Sequence, residues 1–180
     1  MRLVALILLA FFVFCAPSSV RAQEAGAAPE TTGRAQALAI RTTGLPVPRF
    51  VSVRGGKAFV RTGPGLRYPV EWVFQKSGLP VEIIQEFDTW RKIRGPEGEE
   101  GWVHQTLISG QRTAMVTADG LTDLRKDPAA DARLVAKAEQ GVIARLLRCS
   151  ASYCELQIDN YRGWAARNAL WGIYEGEQIK

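Results

Sequence analysis

Short alternating segments of apolar and polar residues fill the chain from about residue 50 onward. Residues 57–61 and 90–93 alternate with a period of two, and residues 81–84 are rich in β-branched side chains. Glycine and proline separate these segments, as is typical of strands joined by turns. A helical turn is compatible with the sequence only over residues 131–139. The sequence therefore predicts an all-β fold.

The same landmarks occur twice, at a nearly constant spacing. The pairs are Val60–Pro64 with Leu124–Pro128, Ser77–Val81 with Gln140–Ile143, Trp90 with Tyr153, and Gly101–Val103 with Gly163–Ala165. Two copies of a unit of about 60 residues indicate tandem domains, because a solenoid needs three or more shorter repeats. About five short strands per copy predict two small β-barrels, closed or partly open, over residues 49–112 and 113–176.

The N-terminus has the pattern of a secretory signal peptide. An unbroken apolar run, residues 3–16, follows Arg2, and small residues suited to cleavage precede Gln23. This run is shorter than the ~20 residues that a membrane-spanning helix needs. We expect a signal peptide over residues 1–22, cleavage near Ala22, and a periplasmic or secreted protein without a membrane span in its mature part.

Residues 23–48 are rich in Ala, Gly, Thr, Glu and Pro and have no sustained apolar periodicity. Such a segment cannot bury enough apolar surface to offset the entropy lost on ordering. We interpret it as a flexible linker, in which proline geometry extends Leu45–Pro48.

The charge balance argues against a nucleic-acid partner. Without Arg2 and Arg21, the mature chain has 21 basic and 18 acidic residues, a net charge of +3. The basic residues are scattered singly and often stand next to acidic ones, whereas nucleic-acid binders cluster them on one face.

Two cysteines remain after Cys15 is removed with the signal peptide. Cys149 and Cys154 flank a four-residue loop between two apolar segments, in a compartment where disulfides persist. We predict that they pair across a hairpin. A redox-active pair is the alternative, although the C-x4-C spacing differs from the C-x-x-C of thiol oxidoreductases.

The sequence offers little for catalysis. His104 is the only histidine, which excludes zinc sites with two histidines and leaves a catalytic triad dependent on one residue. Nucleophile-elbow, phosphate-loop and dinucleotide motifs are missing. The acidic group Glu97, Glu99 and Glu100 flanks glycines and is interpreted as a solvated turn. We therefore predict a protein that is not an enzyme and that uses no cofactor and no metal.

Four motifs in a fixed order carry a resemblance to a known family. They are Phe59–Gly65 with Tyr68–Val70, Gly78–Val81, Trp90–Ile93, and Gly101–Val103 with Leu107. Together they resemble the bacterial SH3 domain of exported Gram-negative proteins and cell-wall hydrolases. In the second copy, Asp127 replaces Gly63 and Tyr153 replaces Trp90.

The resemblance implies a recognition role. SH3-type barrels hold extended ligands in grooves lined by aromatic residues. In the better-preserved first copy, Tyr68, Trp72, Phe87 and Trp90 are the candidate ligand-binding residues, with core packing as the alternative for each. Trp102 and Trp164 follow glycines and are predicted to close the barrel cores.

The sequence thus predicts a binding module of the cell envelope that recognises peptidoglycan or an extended peptide. The rival interpretation is a structural adaptor that docks on an envelope protein complex through the apolar segment 170–174.

Overall fold

The computed structural model describes residues 42–179, so the predicted signal peptide and most of the predicted linker lie outside the described residues. Within this range every regular element is a strand, apart from the 3-10 helices Gln105–Leu107 and Arg167–Ala169. None of the described helices is long and apolar enough to cross a membrane. The all-β prediction is confirmed.

The strands form two seven-stranded antiparallel sheets. The first sheet has the order β3-β2-β6-β5-β4-β1-β7, with β1 Arg49–Val53, β2 Ala58–Arg61, β3 Val70–Phe74, β4 Pro80–Phe87, β5 Trp90–Arg94, β6 Glu100–His104 and β7 Ile108–Ser109. The second has the order β10-β9-β13-β12-β11-β8-β14, with β8 Thr113–Val116, β9 Leu121–Arg125, β10 Leu134–Glu139, β11 Ile143–Cys149, β12 Tyr153–Ile158, β13 Tyr161–Ala166 and β14 Leu170–Trp171.

The two sheets have the same topology, since each strand of the second occupies the place of the strand seven earlier in the first. The irregularities repeat as well. The register between β4 and β5 shifts at Ile83/Gln85, and that between β11 and β12 shifts at the equivalent place, Leu146/Arg148. The structure therefore agrees with two tandem copies. The exact domain limits, 49–112 and 113–176, stay a prediction.

Neither sheet is closed into a barrel, which corrects the stricter form of the prediction. Among the described residues, edge strand β3 pairs only with β2, and edge strand β7 pairs only with β1. Strand β7, Ile108–Ser109, is too short to form a second ladder that would close the sheet. Each copy is a curved open sheet wrapped around its own core.

Each core is built from alternate residues along the strands, because every second side chain of a strand faces the inner side of the sheet. Buried residues of the first core come from strands near both ends of the sheet, such as Val60 of β2 and Ile108 of β7. The second core is equivalent, with Leu124 and Leu156 among its fully buried residues. The curvature of the sheets follows from these shared cores.

Neither Trp102 nor Trp164 belongs to the two core clusters, although Trp164 is buried. In β6, Gly101 and Val103 are buried and Trp102 between them is half-buried, because neighbouring residues of a strand face opposite sides. Trp164 is buried on the outer side of the second sheet, with the Arg148 guanidinium 5.2 Å from the centre of its ring.

Residues 131–139 do not form a helical turn. Leu134–Glu139 is strand β10, paired along its length with β9. The alanines of this segment favour a helix locally, but tertiary pairing decides the outcome.

The predicted disulfide is confirmed. Cys149 and Cys154 are directly opposite each other in the β11–β12 ladder and are bonded, with their Cα atoms 4.1 Å apart. Both side chains are buried in the second core. The bond therefore fixes the hairpin end and also contributes apolar surface to the core.

Aromatic packing joins the two sheets. Phe50 of β1 is buried against Trp171, with ring centres 5.1 Å apart and planes at 87°, and against Tyr174, with centres 4.7 Å apart. The indole nitrogen of Trp171 donates a hydrogen bond of 3.1 Å to the carbonyl oxygen of Pro80. The segment that we considered as a docking surface for an envelope complex is thus occupied within the chain.

Polar contacts reinforce this junction. Tyr174 donates from its hydroxyl group to Glu82, 2.8 Å away. Arg112 donates to the carboxylate of Glu177 at 2.5 Å and to the carbonyl oxygen of Gly172 at 2.9 Å. Burial, and then the nearby Glu82 carboxylate, raise the pKa of Tyr174 above its usual value, so the hydroxyl stays a donor.

Equivalent turns of the two copies both lie at the junction. Gly78 of the first copy lies against Thr113 and Ile143, and Thr113 donates a hydrogen bond of 2.7 Å to its carbonyl oxygen. Gly141, the counterpart of Gly78, lies beside the amino group of Lys76. Both glycines have positive φ, 76° and 80°, as their turns require.

Candidate functional site

The four predicted ligand-binding residues do not share one groove. Tyr68 lies in the β2–β3 loop, where its ring packs so closely on Gly63 that a Cβ atom at that glycine would be 2.5 Å from the ring. The guanidinium of Arg67 lies 5.1 Å from the ring centre. Gly63 is therefore required by the position of Tyr68, which is half-buried.

Phe87 and Trp90 oppose each other at the β4–β5 turn. Phe87 is 39% exposed, whereas Trp90 is buried and meets His104 edge to face at 5.4 Å. His104 caps a 3-10 helix and lies 2.8 Å from the hydroxyl oxygen of Thr106 through Nδ1. Through these contacts His104 has a structural role in the first sheet.

Trp72 lines a groove of about 800 Å³ between the two sheets, which we call the inter-sheet groove. One wall comes from β3 and the turns after β3 and β5, and the other from β8 and the β10–β11 turn. Its lining comprises Trp72, Phe74, Gln75, Lys76, Leu79, Pro96, Glu97, Glu99, Met115, Val116, Thr117, Gln140 and Gly141. The groove thus combines two aromatic side chains, Trp72 and Phe74, with three charged ones, Lys76, Glu97 and Glu99.

Aromatic packing shapes the first wall of the inter-sheet groove. Trp72 and Phe74 meet edge to face, with ring centres 6.3 Å apart, and both pack on the first core. The indole N–H of Trp72 is buried without an acceptor among residues 42–179. Buried polar groups are nearly always hydrogen-bonded, so this donor is a feature that the fold alone does not explain.

The rim of the inter-sheet groove carries charges of both signs. Glu99 accepts a hydrogen bond of 2.9 Å from the backbone N–H of Glu97 and packs on Gly95, which holds its carboxylate in the β5–β6 turn. Lys76 extends towards Gly141 of the other sheet. Within the described range, Lys76, Glu97 and Glu99 form no ion pairs.

A second groove, of about 710 Å³, lies at the β11–β12 turn and includes Tyr153, Asn168 and Glu175. Arg167 is its most prominent charge. However, this guanidinium donates to the carbonyl oxygens of Ser150, Ala151, Tyr174 and Glu177, which leaves it a structural role. The inter-sheet groove is the better candidate because its charged side chains form no ion pairs within the described range.

Among the residues of the inter-sheet groove, the sequence predicted a ligand-binding role only for Trp72, and it interpreted Glu97 and Glu99 as part of a solvated turn. It missed Lys76, Met115 and Gln140, because these come from both copies and meet only when the sheets pack. The repeated turns at Gly78 and Gly141 were the available signal, since both lie where the two copies meet. No group of metal-ligating side chains occurs among the residues that the structure describes.

Glu86 connects the β4–β5 hairpin to the segment before β1. Its carboxylate accepts hydrogen bonds from Arg49 at 2.5 Å and from Thr43, and Arg91 lies 3.3 Å away. Burial raises the pKa of Glu86, but the hydrogen bonds from Arg49 and Thr43 outweigh it and lower the pKa from 4.5 to about 2.

This depressed pKa predicts an acid-dependent loss of stability. The contribution of Glu86 is fully present above pH 4.5, the pKa in the unfolded chain, and disappears as the pH falls towards about 2. We expect a loss of about 2–3 kcal/mol over this range. Urea unfolding at several pH values would measure it. The Glu86→Gln protein should lack this part of the profile, whereas Glu139→Gln, an exposed change on β10, should retain it. Coincident profiles for Glu86→Gln and the parent protein would refute the assignment.

Comparison with known proteins agrees with the fold. The family model described as bacterial SH3 domain matches residues 54–110 and 119–172, one segment in each sheet. The Bacillus subtilis (strain 168) protein YrvJ, which is named as an N-acetylmuramoyl-L-alanine amidase, is 26% identical over 117 residues. The match covers 59% of this chain but only 22% of YrvJ.

Similar solved structures include NlpC1 from Trichomonas vaginalis, at 12% identity and a TM-score of 0.32, covering 77% of this chain and 50% of that one. An NlpC/P60 family protein from Bacillus cereus ATCC 10987 has 13% identity and a TM-score of 0.31, with coverage of 73% and 58%. The chain therefore spans only part of each of these proteins.

Proposed function

Because the chain belongs to the bacterial SH3 domain family, we propose that it is a non-enzymatic binding module of the cell envelope that recognises peptidoglycan. The observation that carries the proposal is the inter-sheet groove, in which an aromatic wall lies beside charges that form no ion pairs within residues 42–179. Aromatic-lined grooves with a few polar groups are typical of ligand sites. Export into the envelope, as the N-terminal sequence predicts, would bring the groove to this ligand.

Two further observations support a binding role without catalysis. The name of YrvJ refers to an amidase that acts on N-acetylmuramoyl-L-alanine, but the matching region is only 22% of that protein, so the shared part is consistent with an accessory module. The only histidine, His104, is engaged with Trp90 and Thr106 on the first sheet and is not among the residues lining the inter-sheet groove.

Filling the inter-sheet groove should weaken binding. Gln140 is exposed, lines the groove and donates a hydrogen bond of 3.2 Å to the carbonyl oxygen of Thr117. A tryptophan at this position would occupy the space of a ligand, whereas surface substitutions usually change stability by less than about 0.5 kcal/mol. We expect Gln140→Trp to weaken binding to purified peptidoglycan sacculi at least about tenfold, which corresponds to about 1.4 kcal/mol.

The measurement is co-sedimentation with sacculi at several salt concentrations up to about 1 M, where exposed charges are largely screened. Gln157→Trp is the matched control: Gln157 is also exposed and also donates to a backbone carbonyl, but it lies outside the groove. Equal sedimentation of both variants with the parent protein would exclude this groove. If the parent protein does not sediment at any salt concentration, peptidoglycan binding is wrong and an envelope protein becomes the favoured partner.

A further inference from the structure

At two positions the second sheet has alanine where the first sheet has a large aromatic residue. The ladder registers give these pairs of equivalent residues, Trp72 with Ala136 and Phe74 with Ala138. The first pair lies opposite Val60 and Leu124, which occupy the same place in the two repeats. The two aromatic rings that pack on the first core therefore have no counterpart on the second core.

A pocket of about 390 Å³ is lined by both alanines, and we call it the second-sheet pocket. It reaches Leu124, a fully buried residue of the second core. Tyr161, which also lines it, is 58% exposed, and the equivalent residue of the first copy is Glu99. Apolar concave sites of this size are typical of ligand sites.

A buried hydroxyl group without a hydrogen-bond partner lies next to the second-sheet pocket. Thr122 of β9 is directly opposite Ala138 in the ladder, and it faces the same side of its strand as Leu124. Both of these neighbours line the pocket. Thr122 is only 8% exposed, yet its hydroxyl group has no partner among residues 42–179. Buried polar groups are nearly always hydrogen-bonded, so a ligand with a suitable polar group would satisfy this hydroxyl.

The first sheet shows which side chain fits this space. Its equivalent positions hold an indole and a phenyl ring, those of Trp72 and Phe74, so an aromatic ring matches the space beside the two alanines. An indole ring also carries an N–H donor for the hydroxyl group of Thr122, which a phenyl ring lacks. Tryptophan side chains buried in pockets are typical anchors of protein–protein interfaces.

The position of the second-sheet pocket favours a protein as the source of this ring. The equivalent wall of the first sheet lines the inter-sheet groove, where the second copy is its protein partner. The pocket continues from that junction, since Gln140 and Gly141 line the groove and the next residue, Val142, lines the pocket. A further copy of the same unit is not the occupant, because the second sheet has the buried Thr113 in place of the Phe50 anchor.

We propose that the second-sheet pocket is an interaction surface for a protein partner, which inserts a tryptophan side chain beside Ala136 and Ala138 and donates from its indole N–H to Thr122. The pocket shares no lining residue with the inter-sheet groove, so this surface goes beyond the proposed function. It also leaves segment 170–174 at the junction, where Trp171 is already packed.

The probe for the inserted side chain is N-acetyl-tryptophanamide, and its binding to the purified protein is measured by NMR titration. We expect chemical-shift changes at the residues of the second-sheet pocket, and none with N-acetyl-alaninamide, which has no ring. Ala136→Trp introduces the residue that the first sheet has at this place, so it should fill the pocket and remove these changes. The matched control is Ala130→Trp, an exposed position outside the pocket, which should bind the probe like the parent protein.

Thr122→Val tests the hydrogen bond without filling the pocket, and it stays informative if Ala136→Trp does not fold. Valine has nearly the shape of threonine but no hydroxyl group. We expect this change to weaken N-acetyl-tryptophanamide binding roughly two- to tenfold, as for the loss of one hydrogen bond. The affinity for the analogue methylated at the indole nitrogen should not change. The two probes and two proteins form a thermodynamic cycle that isolates the contact.

Three outcomes would overturn the inference. The first is no chemical-shift change at the pocket with N-acetyl-tryptophanamide. The second is an equal effect of Thr122→Val on both probes, which would mean that the indole N–H is not recognised there. The third is binding of free 3-methylindole without binding of N-acetyl-tryptophanamide, which would assign the pocket to a free aromatic molecule. Sedimentation with sacculi is a separate measurement, so the proposed function stands or fails independently of these results.

Discussion

Phe50→Ala is expected to lower the free energy of unfolding by about 3–5 kcal/mol, the range for truncating a buried phenylalanine. Phe50 is 6% exposed and is the first-sheet partner of both Trp171 and Tyr174. The guanidinium of Arg112 also lies 6.0 Å from its ring centre. Truncation would leave a cavity at the junction, to which side chains of both sheets are anchored.

Urea unfolding followed by tryptophan fluorescence measures this loss. The matched control is Phe59→Ala on β2, where the ring is 46% exposed and truncation should cost less than about 1 kcal/mol. A loss at Phe50 as small as that at Phe59 would mean that the two sheets do not depend on this ring. A loss with two separate unfolding transitions would show in addition that each sheet can unfold independently.

Gly172→Ala should destabilise the protein by about 4 kcal/mol, since backbone strain and overpacking combine. Gly172 has φ of 110°, a region that residues with a side chain rarely adopt. An added Cβ atom would also lie 2.6 Å from the carbonyl oxygen of Thr113 and 2.9 Å from the side chain of Pro80. Overpacking of this kind typically costs about 1–3 kcal/mol beyond the backbone strain.

Gly176→Ala measures the cost of backbone strain without that of overpacking. Gly176 also has a positive φ, 71°, but no atom lies within 4 Å of the place that a Cβ atom would take. Its replacement should cost about 1 kcal/mol, from backbone strain alone. Thermal and urea unfolding of both variants give the comparison. Similar losses at the two glycines would show that the close approach of Gly172 to Thr113 and Pro80 is not a constraint.

Much of the fold was predictable because its signals are local. Alternation in β2 and β5 identified strands, and the recurrence of Gly78 at Gly141 identified two copies with one topology. The pairing of Cys149 with Cys154 was predictable because the two cysteines flank a four-residue loop between two apolar segments. Each of these inferences needs only residues that are neighbours in the sequence or repeat at a fixed spacing.

The failures come from information that is not local. The composition of 131–139 favours a helical turn, but pairing with β9 converts it into β10. Trp102 was assigned to the core for its size, although Gly101 and Val103 beside it occupy the inner side of the strand. Barrel closure depends on how far β7 extends, which no short motif encodes.

The candidate site was the least predictable part. Among the four aromatic residues, Trp72 alone lines the inter-sheet groove, and Trp90 is buried against His104. Lys76 and Gln140 lie at the same groove only because the two sheets pack on each other. That packing depends on contacts such as Phe50 with Trp171, two residues that are far apart in the chain. A ligand role for Tyr68, Phe87 or Trp90 stays a prediction.

The two copies contact each other through different surfaces, so the junction between the sheets is a heterologous contact. At the offset that relates Gly78 to Gly141, the counterpart of Phe50 is Thr113. Heterologous contacts can in principle be extended by adding further copies, as in a filament. Here a third copy would need Thr113 as its anchor, but Thr113 is buried and already bonded to Gly78. The first pairing therefore leaves no free equivalent of the Phe50 anchor on the second sheet.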